Sequence, residues 1–132
     1  MDFQEIQEAI EVKTAAWSVA PVAYDAAPAG SAVTTAQSNG DPWAALTIQH
    51  GGSATAGIGA DPCPRRTGRI VIQVFTKDGT GSNKAHVLAA SIAAHFEYWQ
   101  SGGLSTQAAS LSRVGPANGW YQVNVAVPFR AD

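Results

Sequence analysis

Charge is scarce in this chain. Only 14% of its 132 residues are Asp, Glu, Lys or Arg, so most of its polar surface has to come from Gly, Ser, Thr, Gln and Asn. A surface that neutral suits packing against other proteins. The net charge of -2 leaves no global basic field, which argues against independent binding to nucleic acid. Cys63 is the single cysteine, which excludes an internal disulfide and a cysteine cluster for zinc. No apolar run approaches the ~20 residues that a membrane-spanning helix needs, and no internal repeat is present. The opening Met1-Asp2-Phe3-Gln4-Glu5 is acidic where a secretory signal is basic, so synthesis in the cytoplasm is expected.

What is present is enough for one core. A 132-residue chain that is 45% hydrophobic is expected to be one domain, residues 1–132, and not a disordered segment. Its organising stretch runs from Gly68 to Trp99, where the apolar period changes halfway. In Ile70-Val71-Ile72-Gln73-Val74-Phe75 the β-branched and aromatic residues occupy both parities, as in a central strand covered on both faces. Lys77-Asp78-Gly79-Thr80-Gly81-Ser82-Asn83 then breaks the chain. From Ala85 onward, Leu88, Ala89, Ile92, Phe96 and Trp99 recur at helical spacing, and Gly102-Gly103 offers a stop.

The flanking segments follow the same logic. Residues 2 to about 17 predict a helix with Phe3, Ile6, Ile10 and Trp17 on one stripe, opened by Asp2 and Glu5 as a capping box and ended before Pro21. Val22-Ala23-Tyr24 reads as a short strand. Residues 28–42, small and polar without a period, predict a long surface loop. Trp43 to Gln49 predicts a strand, residues 53–58 a weaker one, and 59–67 a projecting loop in which Pro62 and Pro64 forbid a regular central strand. With the central strand these make an antiparallel meander. Ala108 to Val114 is a further strand, Gly115 to Gly119 a turn, and Trp120 to Val127 a strand with Tyr121, Val123, Val125 and Val127 on one side, closed by Pro128-Phe129-Arg130. The predicted class is α+β: a mostly antiparallel sheet of four to six strands, with an N-terminal helix and a second long helix packed on it.

Residues able to carry chemistry do not assemble into a catalytic pattern. His86 and His95 are half a turn apart on a helix and cannot share a metal, while His50 has only glycines beside it. Gly79-Thr80-Gly81-Ser82 lacks the Gly-Lys-Ser/Thr ending of a phosphate loop. Asp61, Asp78, Glu97 and Asp132 fall in unrelated segments and form no acid and base pair. Neither cofactor nor metal is implied. A small hydrolase using Cys63 with His50 or His95 stands as the contrasting reading. Arg65, Arg66 and Arg69 form the one basic cluster; it can be a solvated loop, a set of partners for a neighbouring subunit's carboxylates, or a contact for passing DNA phosphates. With them, Ile58, Trp43 and Arg130 complete the candidate interface residues.

Three stretches carry a family resemblance over nearly the whole chain: the short amphipathic N-terminal helix, RRTGRIVIQVFTKDGTG running into a long helix, and the closing GWYQVNVAVPFRAD. In these the chain resembles the tail terminator, or tail completion, proteins of long-tailed bacteriophages and related gene-transfer particles. The resemblance implies a structural, non-enzymatic virion protein made in the host cytoplasm. It implies a homo-oligomeric ring, usually a hexamer, at the head-proximal end of the tail. Such a ring caps the tail tube protein, stops its polymerisation and offers a surface to the head connector, with DNA passing through the lumen without sequence-specific binding and no membrane involved. A head-completion adaptor or minor tail protein is the neighbouring alternative. The segments at 28–42 and 50–67 are the expected interaction loops.

Overall fold

The computed structural model describes residues 1–59 and 62–132. Among these, three helices and seven strands form an α+β domain. Helix α1 (Phe3–Ala15) starts as expected: the Asp2 carboxylate accepts from the Glu5 amide at 2.8 Å, and the Glu5 side chain accepts from the Asp2 amide at 3.3 Å. This reciprocal pairing satisfies two of the amides that a helix start leaves free. It also holds the Asp2 carboxyl below its usual range, chiefly through the Glu5 backbone bond. Ile6 and Ile10 are fully buried, and at the end of the segment Trp17 donates its indole N–H to Ser91 Oγ at 3.0 Å.

After β1 (Val22–Tyr24) the predicted loop at 28–42 contains a helix, α2 (Ser31–Asn39). Its composition of Ser, Thr, Asn and small residues has low helix propensity. Two things hold it: Val33 and Ala36, three apart, are buried, and Gly40 ends it at φ 73°, a conformation that glycine adopts without strain.

The predicted weak strand and projecting loop are also corrected. Strand β2 (Trp43–Gly57) and strand β3 (Cys63–Lys77) are each 15 residues long and pair antiparallel in one long hairpin, so Arg65 and Arg66 lie on a strand and not in a loop. Pro64 is tolerated because there β3 has a partner on one side only: it faces Thr55, whereas pairing with the next strand begins at Arg66. Ala60 and Asp61, part of the predicted loop, lie outside the described residues.

Helix α3 (Asn83–Phe96) buries Ala85, Leu88, Ala89, Ile92 and Phe96 as the spacing predicts. It stops at Glu97, short of Trp99. Gly102 and Gly103 instead turn between β4 (Gln100–Ser101) and β5 (Leu104–Thr106). Thr106 replaces the lost helical bonds: its hydroxyl accepts from the Trp99 amide at 2.8 Å and meets the Phe96 carbonyl.

Strand β6 (Ser110–Ala117) extends three residues past the predicted end and pairs with β7 (Trp120–Ala131). The turn is only Asn118-Gly119, at φ 53° and 83°, the two positive values of the hairpin turn that matches strand twist. Strand β7 does not close at Pro128 but continues to Ala131, burying Val123, Val125, Val127, Phe129 and Ala131 in strict alternation. Pro128 falls where the neighbour on that edge changes, since β5 pairs up to Phe129 and β6 from Ala126.

The sheet order is β1-β2-β3-β7-β5-β4, with β6 also on β7. It is mixed, because β1 runs parallel to β2. One face, through Leu46, Ile70, Ile72, Val74, Val123, Val125 and Val127, packs with α1 and α3 into the core. Burying each such side chain contributes about 1.5–3 kcal/mol before conformational entropy is counted. Val71 is buried on the opposite parity, as a strand covered on both faces requires. Gly40 approaches Lys77, whose side chain leaves β3 on the face opposite buried Thr76, so α2 lies toward that second face at one end of the sheet.

Candidate subunit interface

At the other end of the sheet the β2–β3 hairpin leaves the domain as an arm. From Gln49 to Ala56 every residue is exposed, and so are Cys63 and Pro64. A register shift between His50 and Ser53 marks the arm base; such bulges bend a strand and add twist. There Thr67 Oγ1 donates to the Gly52 carbonyl at 2.8 Å, and Gly51 packs so closely on Thr67 that a Cβ would lie 3.1 Å from that hydroxyl. Ile58, near the tip, has a relative exposure of 102% and is unburied among the described residues.

The arginines divide by strand parity. Arg66 points with Gly68 and Ile70 toward the core side. Its guanidinium lies 4.6 Å from the Phe3 ring centre and donates to the Met1 carbonyl at 3.1 Å, while its buried Nε has no partner among the described residues. Around it His50 meets Phe3 edge-on at 5.1 Å and Phe129 at 6.3 Å. Phe129 in turn covers Gly68 on the neighbouring strand, where a Cβ would come within 2.6 Å of the ring. Arg66 therefore fastens the arm base to α1.

Arg65 and Arg69 leave β3 on the other face. Arg65 faces Asp132 directly, donating from Nε to Oδ1 at 2.7 Å and from Nη2 to Oδ2 at 3.4 Å. This fork holds the Asp132 carboxyl below its usual range and raises the Arg65 guanidinium. Arg69 donates to Gln49 Oε1 at 2.6 Å. Arg130, opposite Thr67 and Ser105, is exposed on the same face. Of the predicted cluster, then, Arg65 and Arg66 are engaged inside the chain, and Arg69 and Arg130 face outward.

Trp43 is not brought to this site. It lies at the opposite end of β2, stacked on Phe75 at 4.2 Å and edge-on to Trp120 at 6.1 Å. The residues that sequence reasoning missed here are Asp132, Gln49, Gly68 and Phe129. Only strand register shows their roles, although a glycine inside an otherwise β-branched strand is a signal of close approach.

The histidines and Cys63 are placed separately. Cys63 is exposed on the arm, His50 sits among rings, His86 Nδ1 contacts the Ser82 carbonyl at 2.7 Å, and His95 Nε2 contacts the Lys13 carbonyl at 2.6 Å. Among the described residues no three His, Cys, Asp or Glu side chains gather as metal ligands, and no helix is long and apolar enough to cross a membrane.

Known proteins offer two likenesses. A solved structure aligns over 100% of this chain and 96% of its own length, with a TM-score of 0.69 at 19% identity, a likeness that speaks for the fold alone. No curated protein matches the chain. The family described as phage tail terminator protein matches residues 5–129, from α1 into the closing strand, and so reaches into each segment that carries the resemblance. The chain belongs to the phage tail terminator family.

Proposed function

We propose that the protein assembles as a ring, of six subunits, on the head-proximal end of the phage tail tube, where it stops tube growth and presents its other face to the head connector. Family membership supplies the structural tail role. The projecting arm carries the further step. A two-stranded ribbon buries too little to stabilise itself, yet past Arg66, where pairing of β3 with β7 ends, β2 and β3 continue as one through Ala54–Gly57 and Cys63–Arg65. An element that adds nothing to its own core fits contacts made with other chains, by pairing of free strand edges and by burial of Ile58 at the tip. Closure into a ring needs two different surfaces on each subunit. Capping needs one ring face that matches the tube end and one that does not reproduce it. In this reading the protein works through contacts and not through catalysis, and DNA crosses the lumen without being read.

The arm can be removed cleanly. Replacing residues 55–64 with Asn-Gly joins Ala54 to Arg65, a directly opposed pair, by a two-residue hairpin turn. The shortened chain is expected to keep its circular dichroism and melting behaviour while losing rings in light scattering and electron microscopy. Particles made without the protein are expected to carry tails of uncontrolled length; tails of normal length detached from heads would point to a joining role without termination.

A further inference from the structure

Charge on this surface is segregated. On the sheet face turned away from α1 and α3, Arg69 and Arg130 line a groove of about 480 Å3 at the arm base, together with Gln49, Thr67, Gln107 and Pro128. The nearest carboxylate on that face, Asp132, is already bonded by Arg65, although the field of Arg130 also reaches it. Among the described residues neither Arg69 nor Arg130 has a carboxylate within ion-pair distance.

The complementary charge sits across the domain, on α1. Ile6 and Ile10 bind this helix to the opposite face of the sheet, and Gln4, Gln7, Glu8 and Glu11 form a stripe along it, the first three exposed and Glu11 half-buried at its flank. Two i,i+4 bonds shape the stripe: Gln4 Nε2 to Glu8 Oε1 at 3.3 Å and Gln7 Nε2 to Glu11 Oε1 at 3.4 Å. These positions would hold lysines if the helix were neutralising itself. The one helix cation, Lys13, lies instead 5.5 Å above the Trp99 ring. Burial, and secondarily the charge of Glu11, raises the Tyr24 phenol, and among the described residues Glu11 has no cation within ion-pair distance.

We infer that Arg69 and Arg130 of one copy pair with Glu8 and Glu11 of the next copy. The inference rests on the ring reading and names its contact. The two patches lie on opposite sides of the sheet, so they cannot meet within one chain; they meet head to tail, the arrangement that closes into a ring. Guanidinium forks suit carboxylates presented in a row, and pairing of opposite patches selects the partner and its register.

The test is charge reversal on the full chain. Arg69→Glu with Arg130→Glu, and separately Glu8→Arg with Glu11→Arg, are each expected to raise the concentration for half-assembly, followed by light scattering and electron microscopy, by about tenfold or more. All four changes in one chain restore the pairs with exchanged signs and are expected to restore rings. Arg69→Gln with Arg130→Gln, a milder change, should weaken assembly in the same direction at low salt, with the gap to the parent protein narrowing at high salt, where its ion pairs are screened. Rings unaffected by either reversal would overturn the pairing and leave the ring reading standing. So would a folded quadruple variant that still fails to assemble. Arginine reversal that blocks retention of tube protein or duplex DNA, while the glutamate reversal changes nothing, would assign the groove to another occupant and overturn the inference. Wild-type protein that forms no ring alone or on tube ends would remove the ring reading itself.

Discussion

The two halves of the β2–β3 hairpin share a backbone and differ in almost everything else. Near its root the ladder runs through Leu46, Ile70, Ile72 and Val74, all buried against α1 and α3. Beyond Gln49 the same ladder runs through Gly, Ser, Ala and Thr, and nothing is buried. Strand pairing therefore persists, with register shifts after His50 and Thr55, where hydrophobic burial does not. The comparison separates two jobs that a strand can do: the root stabilises the fold, and the arm, held in shape by the root, is left available to other chains. Between them stands a joint of Gly68, Phe129, His50, Phe3 and Arg66.

Substitutions along this axis test the division. At the core end, Phe96→Ala empties a fully buried site under the sheet and is expected to cost about 3–5 kcal/mol in chemical denaturation. A cost below 1 kcal/mol would mean that the core is less closely packed than described. At the joint, Gly68→Ala places a methyl group 2.4 Å from the Gln49 carbonyl and 2.6 Å from the Phe129 ring. It should destabilise by about 1–3 kcal/mol and disturb the arm, seen as faster amide exchange from Gln49 to Gly57 than in the parent. Unchanged exchange there would show that the joint does not hold the arm.

The smallest effect is expected at Asp132. Its carboxyl is held low in the folded chain by Arg65, so its contribution to stability is present above the carboxylate's ordinary range and is lost as pH falls through the lowered folded value. The pair is exposed on both sides, at 39% and 41%, and exposed pairs are weak. Asp132→Asn should lower the melting temperature slightly near neutrality, with the two proteins converging in acid. A difference that persists or grows below the carboxylate range would assign the effect to something other than this ion pair.

Much of the domain was legible beforehand because it depends on local pattern. Asp2 and Glu5 announce the start of α1, the spacing from Ala85 to Phe96 announces α3, and the alternation from Val123 to Val127 announces the core face of β7. Where local preference is weak, tertiary contacts decide. Helix α2 has poor formers and survives by burying Val33 and Ala36. In the arm, Pro64 and the glycines are ordinary loop signals, and pairing along one edge overrides them. Periodicity carries helix α3 on to Trp99 because it contains no trace of Thr106, which arrives from β5 to receive the chain.

Of the candidate interface, the sequence by itself determined which charges exist, that they are few, and that three arginines cluster ahead of the central strand. Tertiary structure alone decided which of them remain available. Arg65 and Asp132 are 67 positions apart and become neighbours only because antiparallel register sets the residues beside them, Arg66 and Ala131, opposite each other. Arg66, one residue along, turns to the other face and meets Phe3. Arg69 has the same parity as Arg65 but stands opposite Pro128, which carries no charge. A period of two residues chooses the face and the register chooses the partner, and register is set by the buried pattern of the whole sheet rather than by the residues near each arginine.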